Sequence, residues 1–259
     1  MVGKHVAAAK PARRRSVRNR AGNETAGPAP VERPVVGVLM LDTRFPRYPG
    51  DIGNPTSIPY PTLYRRVPRA TVRRVACAEP LPPELLEIFV TNARALLADG
   101  AELVVTSCGF LHAEQAALAR ALTVPVVTSA LVLLPLVYAL HGARGPIGVL
   151  TFDANALGAA HLGVGRGLPL VVQGMERSAH FHRVIADDLE SADREAMERD
   201  ALAAARELAR AGPAAVVLEC TNLSPYRAAI RDALGGVAVF DLHDAIACCA
   251  GALRGGEGR

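Results

Sequence analysis

The feature that most constrains this chain is that it nearly repeats itself. Val36-Gly37-Val38-Leu39 is matched by Ile147-Gly148-Val149-Leu150, and each string opens a stretch with the same later landmarks. Gly37 precedes Cys108 by 71 residues, and Gly148 precedes Cys220 by 72. Cys108 lies 21 residues before Ser129 and Cys220 lies 21 before Asp241, each pair spanning one further apolar run. Landmarks in such close register predict two structurally equivalent lobes with one cysteine placed identically in each.

The runs Val35–Leu41, Val72–Cys77, Leu103–Ser107, Val124–Thr128, Ile147–Thr151, Leu170–Val172, Ala215–Glu219 and Val237–Asp241 read as buried parallel strands. Between them, Pro83–Ala98 and Glu195–Ala211 carry apolar residues at helical spacing with charges on the opposite face. The alternation predicts an α/β fold: two similar lobes, 34–140 and 141–259, each a four-stranded parallel sheet flanked by helices. Pseudo-twofold symmetry would set the site between them.

The formal charge of +4 invites a nucleic-acid reading, but residues 1–33 hold eight basic residues against Glu24 and Glu32. Removing these from the total of 29 basic and 25 acidic leaves 21 and 23, so residues 34–259 have no basic excess to hold a phosphate backbone. The leader 1–33 lacks apolar periodicity and is expected to be disordered. No apolar run follows its basic residues, as a signal peptide would require. The stretch Ala130–Leu140 is interrupted by Pro135 and too short to span a bilayer. The expectation is a cytoplasmic protein with no membrane or nucleic-acid partner, its five cysteines reduced.

Cys108 closes the run Leu103–Ser107 ahead of the helical pattern Leu111–Leu122, and Cys220 follows Ala215–Glu219 ahead of Ser224–Leu234. Both therefore occupy strand-to-helix turns at the carboxyl edge of a parallel sheet, where open α/β sheets place ligands. Helix N-termini there favour thiolate, predicting lowered thiol pKa values. Two thiols facing across a cleft form a two-base geometry. One removes a proton from a carbon next to a carboxylate and the other delivers one to the opposite face. Thr106, Ser107, Thr221 and Asn222 are the candidate donors to the developing enolate. Cys77, Cys248 and Cys249 read as small buried hydrophobes.

At these residues the chain resembles the aspartate/glutamate racemase superfamily over nearly all of 34–259. Thr106-Ser107-Cys108-Gly109-Phe110 is similar to its first cysteine motif, and Glu219-Cys220-Thr221-Asn222-Leu223 to its second. The resemblance implies a cofactor-independent and metal-free isomerase, acting on a small carboxylate such as aspartate, glutamate, a hydantoin or another amino-acid derivative. Homodimers are compatible with it. Thr151, ending Gly148-Val149-Leu150-Thr151, matches a threonine that helps hold substrate carboxylate, and Asp42-Thr43 resembles an Asp-Ser pair after the first strand. Gly53-Asn54-Pro55-Thr56-Ser57 is similar to an Asn-Pro loop of hydantoin racemases. Asn54, Thr56 and Ser57 are thus either carboxylate donors or parts of a proline-fixed surface connection.

Three departures bear on substrate. Gly109 stands where amino-acid racemases commonly carry an amide, and Asn222 where glutamate racemases carry a histidine. Cys-Thr-Asn-Leu also resembles maleate cis-trans isomerases. Alternatives to racemisation are therefore isomerisation of an unsaturated diacid, decarboxylation of a substituted malonate, or anion binding without catalysis. Arg44 and Arg47 read as solvated or anion-attracting, and His112 and His243 as residues near the cleft able to tune a thiol.

Overall fold

The computed structural model describes Met1 and residues 33–253. The leader inferred over 1–33 therefore lies outside the described residues, apart from Met1 and from Arg33, which donates to Pro59 O.

The first lobe runs β1 (Val36–Met40), β2 (Thr62–Arg66), α1 (Val72–Val75), α2 (Pro83–Ala98), β3 (Leu103–Thr106), α3 (Gln115–Ala121), β4 (Val126–Val127) and α4 (Leu134–His141). The second runs β5 (Ile147–Thr151), α5 (Ala159–Leu162), β6 (Leu170–Gly174), α6 (Phe181–Ala186), α7 (Arg194–Ala209), β7 (Ala215–Leu218), α8 (Arg227–Ala233), β8 (Ala238–Phe240) and α9 (Leu242–Leu253). Both sheets are parallel and four-stranded, ordered β2-β1-β3-β4 and β6-β5-β7-β8. The repeat is thus a repeat of topology.

It also extends to the packing beneath the glycines. The buried face of α2 is Leu85, Phe89, Ala93 and Leu96, and that of α7 is Met197, Ala201, Ala205 and Leu208, the same spacing in both. A Cβ at Gly37 would stand 3.1 Å from Leu96 Cδ1, and one at Gly148 would stand 3.1 Å from Leu208 Cδ2. Glycine at each position lets the long helix lie against its sheet. Pro83 opens α2, its missing N–H costing nothing in the first turn. Asp193 opens α7 by accepting from Glu195 N and Ala196 N.

Alternate residues of the central strands feed two apolar clusters. Val36, Val38, Leu103, Val105, Ile147, Val149, Ala215 and Val217 pack with Leu134, Val137 and Ile246 on one side. Leu39, Val104, Leu150 and Val216 pack with the α2 and α7 faces on the other. Burial on both faces explains the unbroken apolar runs in sequence. Each fully buried side chain such as Phe89 or Phe181 contributes about 1.5–3 kcal/mol.

One expected strand is corrected. Val72–Cys77 is no strand: Val72–Val75 forms α1, burying Val72 and Val75 one turn apart while Arg73 and Arg74 face outward. The fourth strand is Thr62–Arg66, an edge strand with no fully buried residue and with Tyr64 and Arg66 exposed, so its sequence carries charge in place of an apolar run. Among the described residues no helix is long and apolar enough to cross a membrane.

Candidate active site

Cys108 and Cys220 each sit in extended backbone two residues past the end of a central strand, each followed by a 3-10 turn leading into a short helix. Both thiols line one narrow cavity. Its space is about 20 Å³, room for roughly one water, so the walls are closed on one another. Those walls are mainly apolar: Leu41 and Phe45 from the loop after β1, Val72 and Ala76 around α1, Phe110, Phe152 and Ile185. Val72 also borders a wider cavity of about 260 Å³ that reaches Asp42, Arg73 and Asp188.

Burial decides the charge state of the thiols. It pushes Cys108 up to about 12, helped by the nearby Glu219 carboxylate and opposed by the Phe110 and Leu111 N–H groups and Arg47. Cys220 is raised as well, by burial first and Glu219 second, against the Asn222 N–H. The sequence-based expectation of lowered thiol pKa values is therefore corrected. The N–H groups pull in the expected direction, but desolvation and a buried acid outweigh them.

That acid is the residue sequence reasoning passed over. Glu219 is fully buried beside Cys220, and its Oε2 accepts from Thr151 Oγ1 at 2.7 Å and from Phe152 N at 3.2 Å. Its Oε1 has no hydrogen-bond partner among the described residues. Burial raises its carboxyl to about 7, against the hydrogen bonds from Thr151 and Phe152. The carboxyl occupies the space where residue 109 would otherwise project: a Cβ there would lie 2.3 Å from both Glu219 Oε1 and Glu219 O. Gly109 is the counterpart of Glu219. Next to the first thiol, over Gly109, this chain holds a carboxyl reaching across from the second lobe.

The predicted site residues divide into two groups. Ser107, Gly109, Thr221 and Asn222 line the cavity with the two cysteines. Ser107 Oγ accepts from Leu41 N, and Thr221 Oγ1 donates to Ser107 O, joining the two cysteine loops. Asn222 Oδ1 accepts a 3.7 Å hydrogen bond from Cys220 Sγ. Thr106, Thr151, Asp42, Asn54 and Thr56 do not line it. Thr106 Oγ1 donates to Thr128 O and Cys108 O just past the strands of its own lobe, and Thr151 spends its hydroxyl on Glu219. Asn54 and Thr56 form a local turn in which Asn54 Oδ1 accepts from Thr56 N and Oγ1. Asp42 pairs with Arg66 at the wider cavity.

The first part of the loop 41–61 lines the cavity through Leu41, Phe45 and Arg47 and is held by an internal ion pair and by the second lobe. Buried Asp51 pairs with Arg47 at 3.2 Å and accepts from Gly53 N, and Arg47 also reaches Thr43 Oγ1 and lies over the Phe45 ring. Burial raises the Asp51 carboxyl, with Arg47 opposing. Across the cleft, Asp188 accepts from Arg44 N at 2.6 Å and Phe45 N at 3.2 Å while holding a left-handed backbone, φ 52°. Arg44 is thus a latch to the second lobe, and Arg47 a wall of the cavity. His243 Nε2 meets Gly50 O, supporting the loop from below, and His112 Nδ1 contacts His161 O; neither histidine lines the cavity. Among the described residues no cluster of three or more His, Cys, Asp or Glu could hold a metal ion.

Comparison with known proteins places this architecture. The family described as Asp/Glu/Hydantoin racemase matches residues 83–250. A dimethylsulfoniopropionate lyase of Durusdinium sp. clade D is 28% identical over 230 residues, covering 85% of this chain and 74% of that protein. Dimethylsulfoniopropionate lyase 3 of Emiliania huxleyi (strain CCMP1516) is 30% identical over 239 residues, covering 88% of this chain; the chain spans only 61% of that relative's length. In structure, an aspartate racemase homologue from Pyrococcus horikoshii OT3 superposes with a TM-score of 0.54 at 17% identity, covering 85% of this chain and 98% of the other. A glutamate racemase isoform from Bacillus anthracis gives 0.53 at 18%, over 87% of this chain and 83% of its own. An arylmalonate decarboxylase variant gives 0.54 at 17%, over 87% and 95%. These neighbours share the two-lobe fold, and the chain belongs to the Asp/Glu/hydantoin racemase family.

Proposed function

We propose that this chain is a lyase that removes the proton next to the carboxylate of a small sulfonium acid of the dimethylsulfoniopropionate type, using Cys108 or Cys220 as the base. The observation that carries the reading is that both thiols line one narrow cavity at the carboxyl edges of two equivalent sheets. Similarity to dimethylsulfoniopropionate lyases over most of this chain supports the choice of substrate.

In such a substrate the carbon beside the carboxylate bears the proton and the next carbon bears the dimethylsulfonio group. A cysteine thiolate takes the proton and becomes a thiol. The C–H electron pair forms the new C=C bond, and the C–S pair leaves with sulfur, giving acrylate and dimethyl sulfide. The negative charge that builds on the carboxylate needs donors, for which the Phe110, Leu111 and Asn222 N–H groups beside the two sulfurs are placed. Neither product takes up a proton, so the one now on the base thiol passes to solvent and regenerates the thiolate, and the elimination needs no second acid.

A second reading is racemisation of an amino acid or hydantoin, and the equivalent placement of the two thiols favours it, since inversion needs one acid/base on each face. A proton NMR screen in deuterated water separates the two. The lyase reading expects acrylate and dimethyl sulfide from dimethylsulfoniopropionate and no α-proton exchange in L- or D-amino acids or hydantoins. Exchange into an otherwise intact amino acid, with the sulfonium acid untouched, would replace it with the racemase reading.

A further inference from the structure

Glu219 poses an electrostatic problem that the thiol chemistry does not use. It is a fully buried carboxyl with one oxygen unpartnered, and no basic side chain among the described residues pairs with it. Buried carboxylates are ordinarily paired, because removing a charge from water without compensation is expensive. The cationic side chain in the cavity wall, Arg47, is already committed to Asp51. The groups facing Glu219 are the thiols of Cys108 and Cys220, both disfavoured as thiolates by its charge. Behind the wall, His161 sits edge-on to Phe110 and His182 stacks on Phe152 at 4.6 Å, and neither bonds the carboxylate. The space between is walled by Phe45, Phe110 and Phe152, and the Phe45 ring already carries the Arg47 guanidinium over one face, the attraction an aromatic ring has for a cation.

We propose that Glu219 is the specificity-determining residue of this cleft, its buried carboxylate selecting substrates that carry a permanent positive charge at the end opposite their carboxylate. This rests on the lyase reading for the identity of the onium group, while the charge argument stands on the geometry. A net-neutral zwitterion supplies the missing counter-charge. A dianion such as a malonate, or an amino dicarboxylate with a net negative charge, adds repulsion instead. The same cation offsets the part of the thiols' raised pKa that comes from Glu219, the smaller part beside burial, so the correct substrate also helps generate its own base. Glu219 acts here through charge, and its unpartnered oxygen need not touch the substrate.

The test is a binding comparison on the full chain. The probes are dimethylsulfoniopropionate, its trimethylammonio analogue 3-(trimethylammonio)propionate, and the uncharged carbon isostere 4-methylpentanoate, measured with the wild type, Glu219→Gln and Glu219→Asp. At about pH 8 the wild type is expected to prefer each onium acid over the isostere by about tenfold or more, the lower end of what an opposite charge nearby produces. Glu219→Gln removes that preference, and Glu219→Asp retains it. In the wild type the preference shrinks toward about pH 6 as Glu219 takes up a proton, and in Glu219→Gln it is flat with pH. A merely structural glutamate would weaken all three probes alike.

The inference is overturned if Glu219→Gln keeps the full preference, or if the wild type shows none. Cleavage of the sulfonium acid with unchanged preference in Glu219→Gln would sink the inference and leave the lyase reading. Glu219-dependent binding of both onium acids without cleavage would do the reverse.

Discussion

Asn222 joins the second thiol to the loop that covers it: its Oδ1 accepts from Cys220 Sγ, and its Nδ2 donates to Asp51 Oδ2 at 2.5 Å. Asp51 in turn holds Arg47, so the covering loop and the thiol share one buried hydrogen-bonded chain. The position of the loop and the direction of the Cys220 S–H bond are therefore linked through Asn222.

Cutting that chain has two expected consequences. Asp51→Asn keeps the shape but leaves Arg47 without its partner, costing about 1–3 kcal/mol of stability in urea unfolding. Because Asn222 then loses its orientation, turnover should fall more than stability accounts for. A variant with unchanged turnover would show that the loop does not position the thiol.

Glu219 should weaken the fold wherever it is ionised. Its carboxyl is raised from an ordinary 4.5 to about 7, so the folded chain holds its proton more tightly than the unfolded chain. The resulting stabilisation is complete below about pH 4.5 and is lost as pH rises to about 7, which corresponds to about 3 kcal/mol. Glu219→Gln should accordingly be more stable than the wild type at about pH 8 by a few kcal/mol, with the gap closing near pH 4. Parallel stability curves for the two proteins would contradict this.

Gly109→Ala tests the counterpart relationship. The added methyl meets both Glu219 Oε1 and Glu219 O at 2.3 Å, so the cleft walls must part, at a cost of about 1–3 kcal/mol. Adding Glu219→Ala should restore only part of that loss, since the backbone carbonyl stays. Full rescue in the double variant, read by thermal melting, would place the clash on the side chain alone.

How much of this was legible in the sequence depends on what kind of contact was involved. The lobes, the sheets and the two thiol positions could be read because Gly37, Gly148, Cys108 and Cys220 repeat at fixed separations, and repetition survives without coordinates. The strand Thr62–Arg66 was missed because an edge strand has no need of an apolar run, while Val72 and Val75 imitate one with a single helical turn. The family resemblance ties Thr151 to the substrate carboxylate, while its hydroxyl donates to Glu219. Glu219 lies inside the second cysteine motif, Glu219-Cys220-Thr221-Asn222-Leu223, yet the motif alone gives it no role. A charged residue closing the apolar run Ala215–Leu218 and directly preceding a candidate catalytic cysteine was the available signal. Its unpaired oxygen depends on Gly109, more than a hundred residues away, and no local pattern encodes that pairing.

The central claim is that the two thiols carry the proton chemistry of a lyase, and acrylate formation from dimethylsulfoniopropionate by the wild type, Cys108→Ala and Cys220→Ala tests it most directly. The account predicts acrylate with the wild type, and a loss of about 100-fold or more in kcat for the variant lacking the base. Both variants should stay folded, because a small side chain is exchanged for a slightly smaller one. Acrylate release at the wild-type rate from both variants, or none from the wild type, would contradict it.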